Sequence, residues 1–394
     1  MSQPQTTPGL GFVVGAAAGL GLLALPAAAL AATPAVPAGF AITTFATAPL
    51  APASAGADDI ARLDGHVFVG FQNGVPKTGP GSTGPQNSTI AEFSGDGSLL
   101  AAFSVRGRAD GMAADPANNR LIITTNEDGN STIHTLTPTA PVGSQVVDYT
   151  YSPNPSASAD LATDNTLQTG GGTDSVSIVD GKIFVAASNP NDLTPAANPN
   201  PKATAVFAVT LRDTTADLSP TFPDDATAAV GGGGSGTTQL ALTDPDSTAT
   251  VPGGAPSFGG QFVLDGQADQ QLIFVKGIAG PSPLTDAHLT QLPLKHADPA
   301  NPGSTIGAGV DDVRWTAAEG GTLIAVDNST STIYAISGPF SAFEAFASLD
   351  TVGATANNTE IDALNTESGL LTPFATGFGV VKGLLWYAAP ASQR

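Results

Sequence analysis

Short apolar runs recur along the chain, and each begins directly after a polar or glycine residue. Six of these runs can be aligned by the residues that lead into them, and four of the six leaders are aspartate. Successive leaders are 52, 64, 86, 51 and 71 residues apart. An internal repeat of this length predicts an array of similar structural units. The leading segments are Asp58-Asp59-Ile60-Ala61, Asp110-Gly111-Met112-Ala113, Asp174-Ser175-Val176-Ser177, Gly260-Gln261-Phe262-Val263, Asp311-Asp312-Val313-Arg314 and Lys382-Gly383-Leu384-Leu385.

Each leading strand is followed by a turn signal and then by a second apolar run. Asp64-Gly65 and Asp180-Gly181 are typical of tight hairpin turns, because these residues tolerate left-handed backbone conformations. The second runs are rich in β-branched and aromatic residues, which favours strands, and no helical period is visible. These second runs are 67–71, 121–125, 183–187, 272–275 and 323–326.

Third and fourth strands follow in several units, so the chain reads as about six units of four antiparallel strands. This pattern predicts an all-β fold, a six-bladed β-propeller, with seven blades as the alternative. We expect one propeller domain over residues 32–394. The chain ends soon after the sixth leading strand, so its outer strands are expected from 344–349, 360–364 and 371–376. Residues 40–47 form a spare strand that can close the ring.

Polar residues end four of the second strands, at Asn73, Asn126, Asn189 and Asn328. In a propeller, the loop that enters the first strand and the loop that leaves the second lie at the same end of a blade. The leading aspartates and these asparagines are therefore expected on one face. The long insertions are expected there too, and such loops on a rigid scaffold often carry function. They are 74–87, 153–172, 190–202, 223–257 and 338–343.

Innermost strands line the central channel of a propeller, so the leading aspartates are expected to surround its mouth, with either Asp58 or Asp59 in the first position. Carboxylates that converge without partners repel one another. A Ca²⁺ ion, which takes about six to eight oxygen ligands, relieves that repulsion and is the cofactor we expect if there is one. The metal-ligand candidates are Asp58, Asp110, Asp174 and Asp311, and the ligand-binding candidates are Asn73, Asn126, Asn189, Asn328 and Gln261.

A structural role for the aspartates is the alternative. An aspartate at the start of a strand often accepts hydrogen bonds from nearby backbone N–H groups. Lys382, in the sixth position of the ring, can neutralise its neighbours through an ion pair. Glu127 lies in the oxygen-rich segment Asn126-Glu127-Asp128-Gly129-Asn130 and is the candidate general base. Thr243-Asp244-Pro245-Asp246-Ser247 is a second such segment, and both are also typical of solvated turns.

Charge narrows the choice of partner. The formal net charge is −21, and the 13 basic residues are scattered, whereas nucleic-acid binding needs clustered Lys and Arg. A cation or a small polar molecule such as a carbohydrate fits this charge, although acidity can also serve solubility alone. The chain has no cysteine, which excludes disulfides and thiolate chemistry. None of the four histidines has a metal-ligand spacing, so no zinc site is expected.

The amino terminus resembles an export signal over residues 1–31. Residues 10–32 are almost wholly small or apolar, and Ala29-Leu30-Ala31 offers a small-x-small cleavage site. No Lys or Arg precedes the apolar stretch, so an uncleaved membrane anchor is the alternative, and only then is the membrane a partner. We therefore expect a secreted or extracytoplasmic protein, at the cell surface.

Three segments carry a resemblance to a known family. They are DGMAADPANNRLIIT from Asp110, GGTDSVSIVDGKIFVAASN from Gly171 and DDVRWTAAEGGTLIAVDNSTSTIYAI from Asp311. They resemble blades of the gluconolactonase-like and NHL-like six-bladed propeller superfamily, and the whole chain resembles secreted bacterial proteins of unassigned function.

The resemblance implies a divalent metal, which gluconolactonase-like enzymes hold with a first-blade glutamate, asparagines and an aspartate. Here Asp58 or Asp59 replaces that glutamate, and Asn126, Asn189 and Asp311 are the possible counterparts of the others. The sequence thus leaves two functions open. The first is a binding or surface-interaction protein with a ligand or cation site at the channel mouth. The second is a Ca²⁺-assisted, lactonase-type hydrolase.

Overall fold

The computed structural model describes residues 34–48, 56–152, 172–188, 204–281, 284 and 288–388. Within these ranges the protein is all-β, with one short 3₁₀ turn at Pro116–Asn118. No helix there has the length and apolar content needed to cross a membrane. The described residues belong to one compact unit, Thr33–Arg394. The predicted export signal lies outside them and stays a prediction.

The first strand, β1 (Ala41–Thr47), belongs to the last blade, and the next twelve strands form three consecutive blades. The parallel pairing of the outer strands of blades 2 and 3 joins these two blades at their edges. From the inner strand outwards, blade 1 is β2 (Ala57–Leu63), β3 (His66–Phe71), β4 (Asn87–Phe93) and β5 (Leu99–Arg106); blade 2 is β6 (Ala109–Asp115), β7 (Arg120–Thr125), β8 (Thr132–Leu136) and β9 (Val146–Ser152); blade 3 is β10 (Gly172–Val179), β11 (Lys182–Ser188), β12 (Thr204–Arg212) and β13 (Thr215–Pro223).

The remaining strands form three more sheets, each with additional or exchanged strands. Blade 4 is β16 (Pro245–Thr250), β17 (Phe262–Gly266), β18 (Gln271–Val275) and β19 (Leu289–Pro293), extended by β14 (Thr227–Val230) and β15 (Thr237–Gln239). Blade 5 is β21 (Thr305–Trp315), β24 (Ala345–Val352), β26 (Glu360–Asn365) and β27 (Leu370–Thr376), with the short strands β20 (Lys295–Ala297) and β25 (Thr355–Ala356). Blade 6 is β28 (Val381–Tyr387), β22 (Thr322–Asp327), β23 (Thr332–Ser337) and β1.

The inner strands of these blades contact one another in a closed ring, in the order β2, β6, β10, β16, β21, β28 and back to β2. The prediction of an all-β propeller is confirmed. Six inner strands among the described residues take part in this ring. As expected, the amino-terminal strand closes the ring, because β1 pairs with β23 at the outer edge of blade 6.

The core lies between neighbouring blades, where apolar side chains of one sheet pack against those of the next. Ile60 and Val67 of blade 1 share a cluster with Ile324 of blade 6, for example, and Ile122 of blade 2 shares one with Val185 of blade 3. Full burial of one such side chain contributes roughly 1.5–3 kcal/mol. Each blade therefore depends on both of its neighbours, and closure of the ring stabilises all of them.

Strand assignments from the sequence are wrong in three of the repeats. In the fourth repeat, residues 260–263 lead into β17, the second strand of blade 4, and the inner strand is β16, which begins at Pro245. In the fifth repeat, the hairpin of β22 and β23 leaves blade 5 and pairs with β28 in blade 6. The strands assigned to the sixth repeat, β24, β26 and β27, complete blade 5 instead.

The placement of the long insertions is also corrected in part. Residues 338–343 connect β23 to β24 at the end where Trp315 pairs with Ala345, which is the end opposite the leading aspartates. The segment between β16 and β17, at 251–261, lies at that opposite end as well. Residues 74–87 follow β3 on the predicted face. The insertions at 153–171 and 190–202 lie outside the described residues.

Candidate functional site at the channel mouth

One end of the central channel opens into a cavity of about 890 Å³, including the space at its open end. We call this the channel mouth. Its lining has ten acidic and four basic residues. The predicted ring of Asp58, Asp110, Asp174 and Asp311 lines it. Asp244 and Asp246 supply the carboxylates of blade 4.

A β-bulge in every inner strand brings these side chains to the channel mouth. Between Ala57 and Ile60, β2 has two residues where its partner β3 has one. The same extra residue recurs in the other five inner strands. A bulge bends the strand locally and re-aims the side chain it carries, and such bulges are frequent next to functional sites. The bulges carry Asp58, Asp110, Asp174, Asp246, Asp311 and Lys382.

Three carboxylates form the tightest group, which we call the carboxylate cluster: Asp110, Glu127 and Asp174. One oxygen from each lies within 4.8 Å of the others. Glu127 is 9% exposed and Asp174 is 6% exposed. Asp110 accepts a hydrogen bond from Gln72 Nε2 at 3.1 Å through Oδ1, while its buried Oδ2 has no hydrogen-bond partner among the described residues.

Basic side chains compensate part of this negative charge. Glu127 Oε1 lies 2.9 Å from Lys77 Nζ and 3.6 Å from Arg108 Nη2. Lys382 forms an ion pair with Asp311, as the sequence predicted for the sixth ring position. Burial alone lowers the pKa of Lys382, but the surrounding carboxylates, Asp311 foremost, more than offset this, so its pKa lies well above the ordinary value. Lys382 therefore stays charged.

The remaining carboxylates hold protons more tightly than ordinary aspartates do. Burial, followed by the charge of Glu127, raises the pKa of Asp110 and of Asp174 well above its usual range. Burial and the charge of Asp174 do the same to the pKa of Asp246. Burial raises the pKa of Asp58 to about 6. The channel mouth thus contains more carboxylates than its basic residues can hold in the ionised state.

Two further aspartates have the structural role that was the alternative in the sequence analysis, because they accept hydrogen bonds from backbone N–H groups. Asp59 accepts hydrogen bonds from the backbone N–H of Ile60 and of Met112 in the neighbouring blade. Asp312 accepts them from Val313 N–H at 2.7 Å and from Leu384 N–H at 2.7 Å, again across a blade boundary. At positions 58–59 and 311–312, therefore, one carboxylate faces the mouth and the other links inner strands.

The predicted asparagines have mainly structural contacts. Asn73 and Asn126 adopt positive φ angles of 55° and 66°, which asparagine tolerates better than most residues. The Asn126 side chain accepts from Arg108 N–H and donates to the Asn130 carbonyl, so its amide is already occupied. Asn73 donates to the Asn87 carbonyl and to Thr89 Oγ1. None of these contacts is to the carboxylate cluster.

The other three amide candidates are Asn328, Asn189 and Gln261, and only the first is seen at the channel mouth. Asn328 Nδ2 lies 3.5 Å from Asp58 Oδ1, so it reaches the channel mouth as a donor. Asn189 lies outside the described residues. The predicted position of Gln261 is wrong, because the residue ends the 251–261 connection at the opposite end of the channel, where its N–H donates to the Phe258 carbonyl.

Lys77 and Arg108 were not singled out from the sequence. Arg108 precedes Asp110 by two residues, which was a usable signal, because it places the guanidinium beside the leading aspartate. Lys77 lies in the insertion after β3, and no sequence spacing indicates that it approaches Glu127.

Comparisons with known proteins give the fold only. No family model and no curated protein matches the chain. It is similar to the periplasmic gluconolactonase of Pseudomonas aeruginosa, with a TM-score of 0.45 and 12% identity over 84% of this chain and 88% of that one. A putative 6-phosphogluconolactonase from Bacteroides uniformis gives 0.37 and 11%, over 82% and 85%. The WD40 propeller domain of Doa1 gives 0.36 and 11%, over 89% and 88%.

An identity of 12% does not transfer a substrate or a residue's role from one chain to the other. The fold and the site together define a β-propeller with an acidic channel mouth.

Proposed function

We propose that this protein is a binding protein that holds a divalent cation, Ca²⁺, at the channel mouth through Asp110, Glu127 and Asp174. The observation that carries the proposal is the convergence of three buried or half-buried carboxylates whose oxygens lie within 4.8 Å of one another. Carboxylates at this separation repel, and a shared cation is the usual means of relieving such repulsion in proteins.

The geometry and chemistry of the cluster fit Ca²⁺. Calcium–oxygen distances of about 2.3–2.6 Å allow two ligand oxygens to lie up to about 5 Å apart, which accommodates the observed separation. The unpartnered Oδ2 of Asp110 is available as a ligand. Glu127 would exchange part of its contact with Lys77 for the ion.

Three carboxylates leave coordination positions open, since Ca²⁺ takes about six to eight oxygens. A hydroxyl or carbonyl oxygen of a small polar molecule such as a carbohydrate can occupy them. Arg108 and Lys382 line the same cavity and can donate hydrogen bonds to it. We therefore expect the cation and the polar ligand to bind together, on the outside of the cell if the predicted export signal operates.

Calorimetric titration of the chelator-treated protein with Ca²⁺ tests the proposal. We expect one equivalent to bind, and expect Asp174→Asn or Glu127→Gln to weaken binding by roughly 100-fold, because each removes a charged ligand. Asp213→Asn, which neutralises an exposed carboxylate in the β12–β13 turn, is the matched control and should leave affinity unchanged. Absence of binding to the unaltered protein would rule the cation site out.

The second candidate function is a Ca²⁺-assisted, lactonase-type hydrolase. The observation that favours it is the position of Asp246 beside Asp174 at the edge of the proposed cation site, where burial and the charge of Asp174 raise its pKa. A carboxylate with a raised pKa beside a metal can act as a general acid or base. A panel of lactones assayed with and without chelator separates the two functions. Turnover that needs Ca²⁺ and is lost in Asp246→Asn would favour the hydrolase over simple binding.

A further inference from the structure

A second cluster of metal-type ligands lies in blade 5, away from the carboxylate cluster. It consists of His296 on β20 and of Glu360 and Asp362 on β26, and we call it the blade 5 cluster. The sheet of blade 5 closes on itself, because β21 pairs with both β20 and β24 while β20 also pairs with β27. This closure brings β20 close to β26, although 64 residues separate His296 from Glu360.

Asp362 is the most informative member of the cluster. Its side chain is completely buried, and neither carboxylate oxygen has a hydrogen-bond partner among the described residues. Burying a carboxylate without partners is costly. The group that faces it is the His296 ring, with Nε2 at 3.5 Å from Asp362 Oδ2.

The other ring nitrogen fixes what His296 presents to Asp362. His296 Nδ1 lies 2.9 Å from the Ala297 carbonyl oxygen, which only accepts hydrogen bonds, so Nδ1 carries the proton. In the neutral ring Nε2 then presents a lone pair to a carboxylate oxygen. Two acceptors face each other without a hydrogen between them. A ring whose Nδ1–H is held by a carbonyl while Nε2 is free is the usual arrangement of a metal-binding histidine.

The separations agree with a shared ion. Zn²⁺ binds imidazole nitrogen at about 2.0–2.1 Å and carboxylate oxygen at about 2.0–2.2 Å, so two ligands of a tetrahedral ion lie about 3.4 Å apart. The observed 3.5 Å between His296 Nε2 and Asp362 Oδ2 matches that value. Glu360 completes the set, since one ligand atom from each of the three residues lies within 4.8 Å of the others. Asn357 Nδ2 donates to Glu360 Oε1 at 2.6 Å and orients this carboxylate.

We propose that His296, Glu360 and Asp362 bind a divalent transition-metal ion of the zinc class. One nitrogen and two carboxylate ligands suit Zn²⁺ better than Ca²⁺, which prefers oxygen alone. The ion lies within the rolled sheet and links β20 to β26. The histidine spacing in the sequence does not indicate such a site, because its ligands meet only through the closure of blade 5.

A proton is the competing occupant. Burial, followed by the charge of Glu360, raises the pKa of Asp362 to about 8, and a proton between His296 and Asp362 would also satisfy both groups. The two occupants differ in a measurable way, because only the metal is removed by a chelator and restored by its own addition.

The test is a Zn²⁺ titration of the full chain after treatment with a chelator, in the Glu127→Gln background to remove the channel-mouth site. We expect one equivalent of Zn²⁺ to bind, and expect His296→Gln to weaken it by at least about 100-fold, the upper range for loss of even an outer-shell partner. His66→Gln is the matched control, since His66 pairs with Glu92 in blade 1, and it should bind Zn²⁺ unchanged. Co²⁺ should give visible absorption bands in the control that are absent from His296→Gln.

Glu360→Gln guards against misfolding, because Glu360 is only half-buried and its amide counterpart keeps the Asn357 contact. It should retain the circular dichroism spectrum of the parent and lose most of its Zn²⁺ affinity. If the parent binds no Zn²⁺, or if His296→Gln and Glu360→Gln bind it as tightly as the parent does, a proton occupies the site and the proposal is wrong.

Discussion

Paired aspartates at the start of an inner strand have divided tasks in this propeller. Asp58 and Asp311 face the channel mouth, whereas Asp59 and Asp312 accept hydrogen bonds from the inner strand of the next blade. The second task explains why a costly buried carboxylate is kept, since it satisfies N–H groups that the bulge removes from the ladder. The residues facing the mouth contact side chains instead, since Asp311 pairs with Lys382 and Asp58 accepts from Asn328 Nδ2.

Asp312→Ala separates the two tasks. It removes acceptors from two buried N–H groups and the partner of Arg314, which lies 2.9 Å away. Hydrogen bonds to charged groups contribute about 1.5–3 kcal/mol, so we expect the free energy of unfolding to fall by about 3 kcal/mol. Chemical denaturation measures this. Asp213→Ala should change stability little, and Ca²⁺ affinity should stay within a fewfold in both variants; a large loss of affinity in Asp312→Ala would argue against separate tasks.

The sequence identified the aspartates of the mouth better than the residues around them. Asp58, Asp110 and Asp174 recur at the same point of a repeat, and periodicity fixes their position. Asn126 also recurs at a fixed point of the repeat. Asparagine at that point fits either a positive φ angle, which the structure shows, or a ligand role, so the sequence alone does not distinguish the two. Lys77 reaches Glu127 through a loop whose path no local rule determines.

At the level of strands, blade 6 is assembled from three distant parts of the chain. Its strands come from the amino terminus, from the hairpin after β21 and from the carboxyl terminus. Phe40, just before β1, packs its ring 4.9 Å from that of Phe340 and 5.0 Å from that of Phe374. This contact attaches the closing strand to the interface between blades 5 and 6.

Phe40→Ala tests the closure. Loss of the two edge-to-face contacts and of the partly buried ring should cost about 2–3 kcal/mol, somewhat less than a fully buried phenylalanine. Thermal and chemical denaturation provide the measurement. Leu99→Ala is the control, because that side chain is 48% exposed and its removal should have little effect. Equal stability of the two variants would show that β1 does not hold the ring closed.

Strand pairing explains why some elements could be predicted and others could not. Short apolar runs bounded by turn signals located most of the strands, but they do not say which strands are neighbours. In blade 4 the inner strand, Pro245–Thr250, begins with proline and has four polar residues among its six, so no apolar run marks it. Gly260 therefore looked like the start of the unit. The exchange of β22 and β23 between blades leaves no trace in composition, because both blades require the same kind of strand.

At the scale of the whole molecule, burial of acidic residues determines how the stability of this protein, whose net charge is −21, depends on pH. Several carboxylates have pKa values raised by burial: Asp58 and Asp244 to about 6, Asp224 to about 7 and Asp59 to about 8. The folded state therefore binds more protons than the unfolded state does between about pH 4 and pH 8. Stability that is present near pH 4 is lost as the pH rises through these values.

We accordingly expect the melting temperature in chelator to fall by more than about 5 °C between pH 5 and pH 8. Added Ca²⁺ should raise it more at pH 8 than at pH 5, because protons compete with the ion for its ligands Asp110 and Asp174, whose pKa values burial also raises. Scanning calorimetry at several pH values checks both effects, with Glu127→Gln as the variant that should not respond to Ca²⁺. A melting temperature that rises toward pH 8 in chelator would contradict the assigned direction of the pKa shifts.

The most direct measurement is a crystal structure of the protein with Ca²⁺, with anomalous scattering used to locate the ion. We expect a single anomalous peak at the channel mouth, within about 2.6 Å of oxygens of Asp110, Glu127 and Asp174. A mouth without a peak at saturating Ca²⁺, with Lys77 and Arg108 still paired to Glu127, would contradict it.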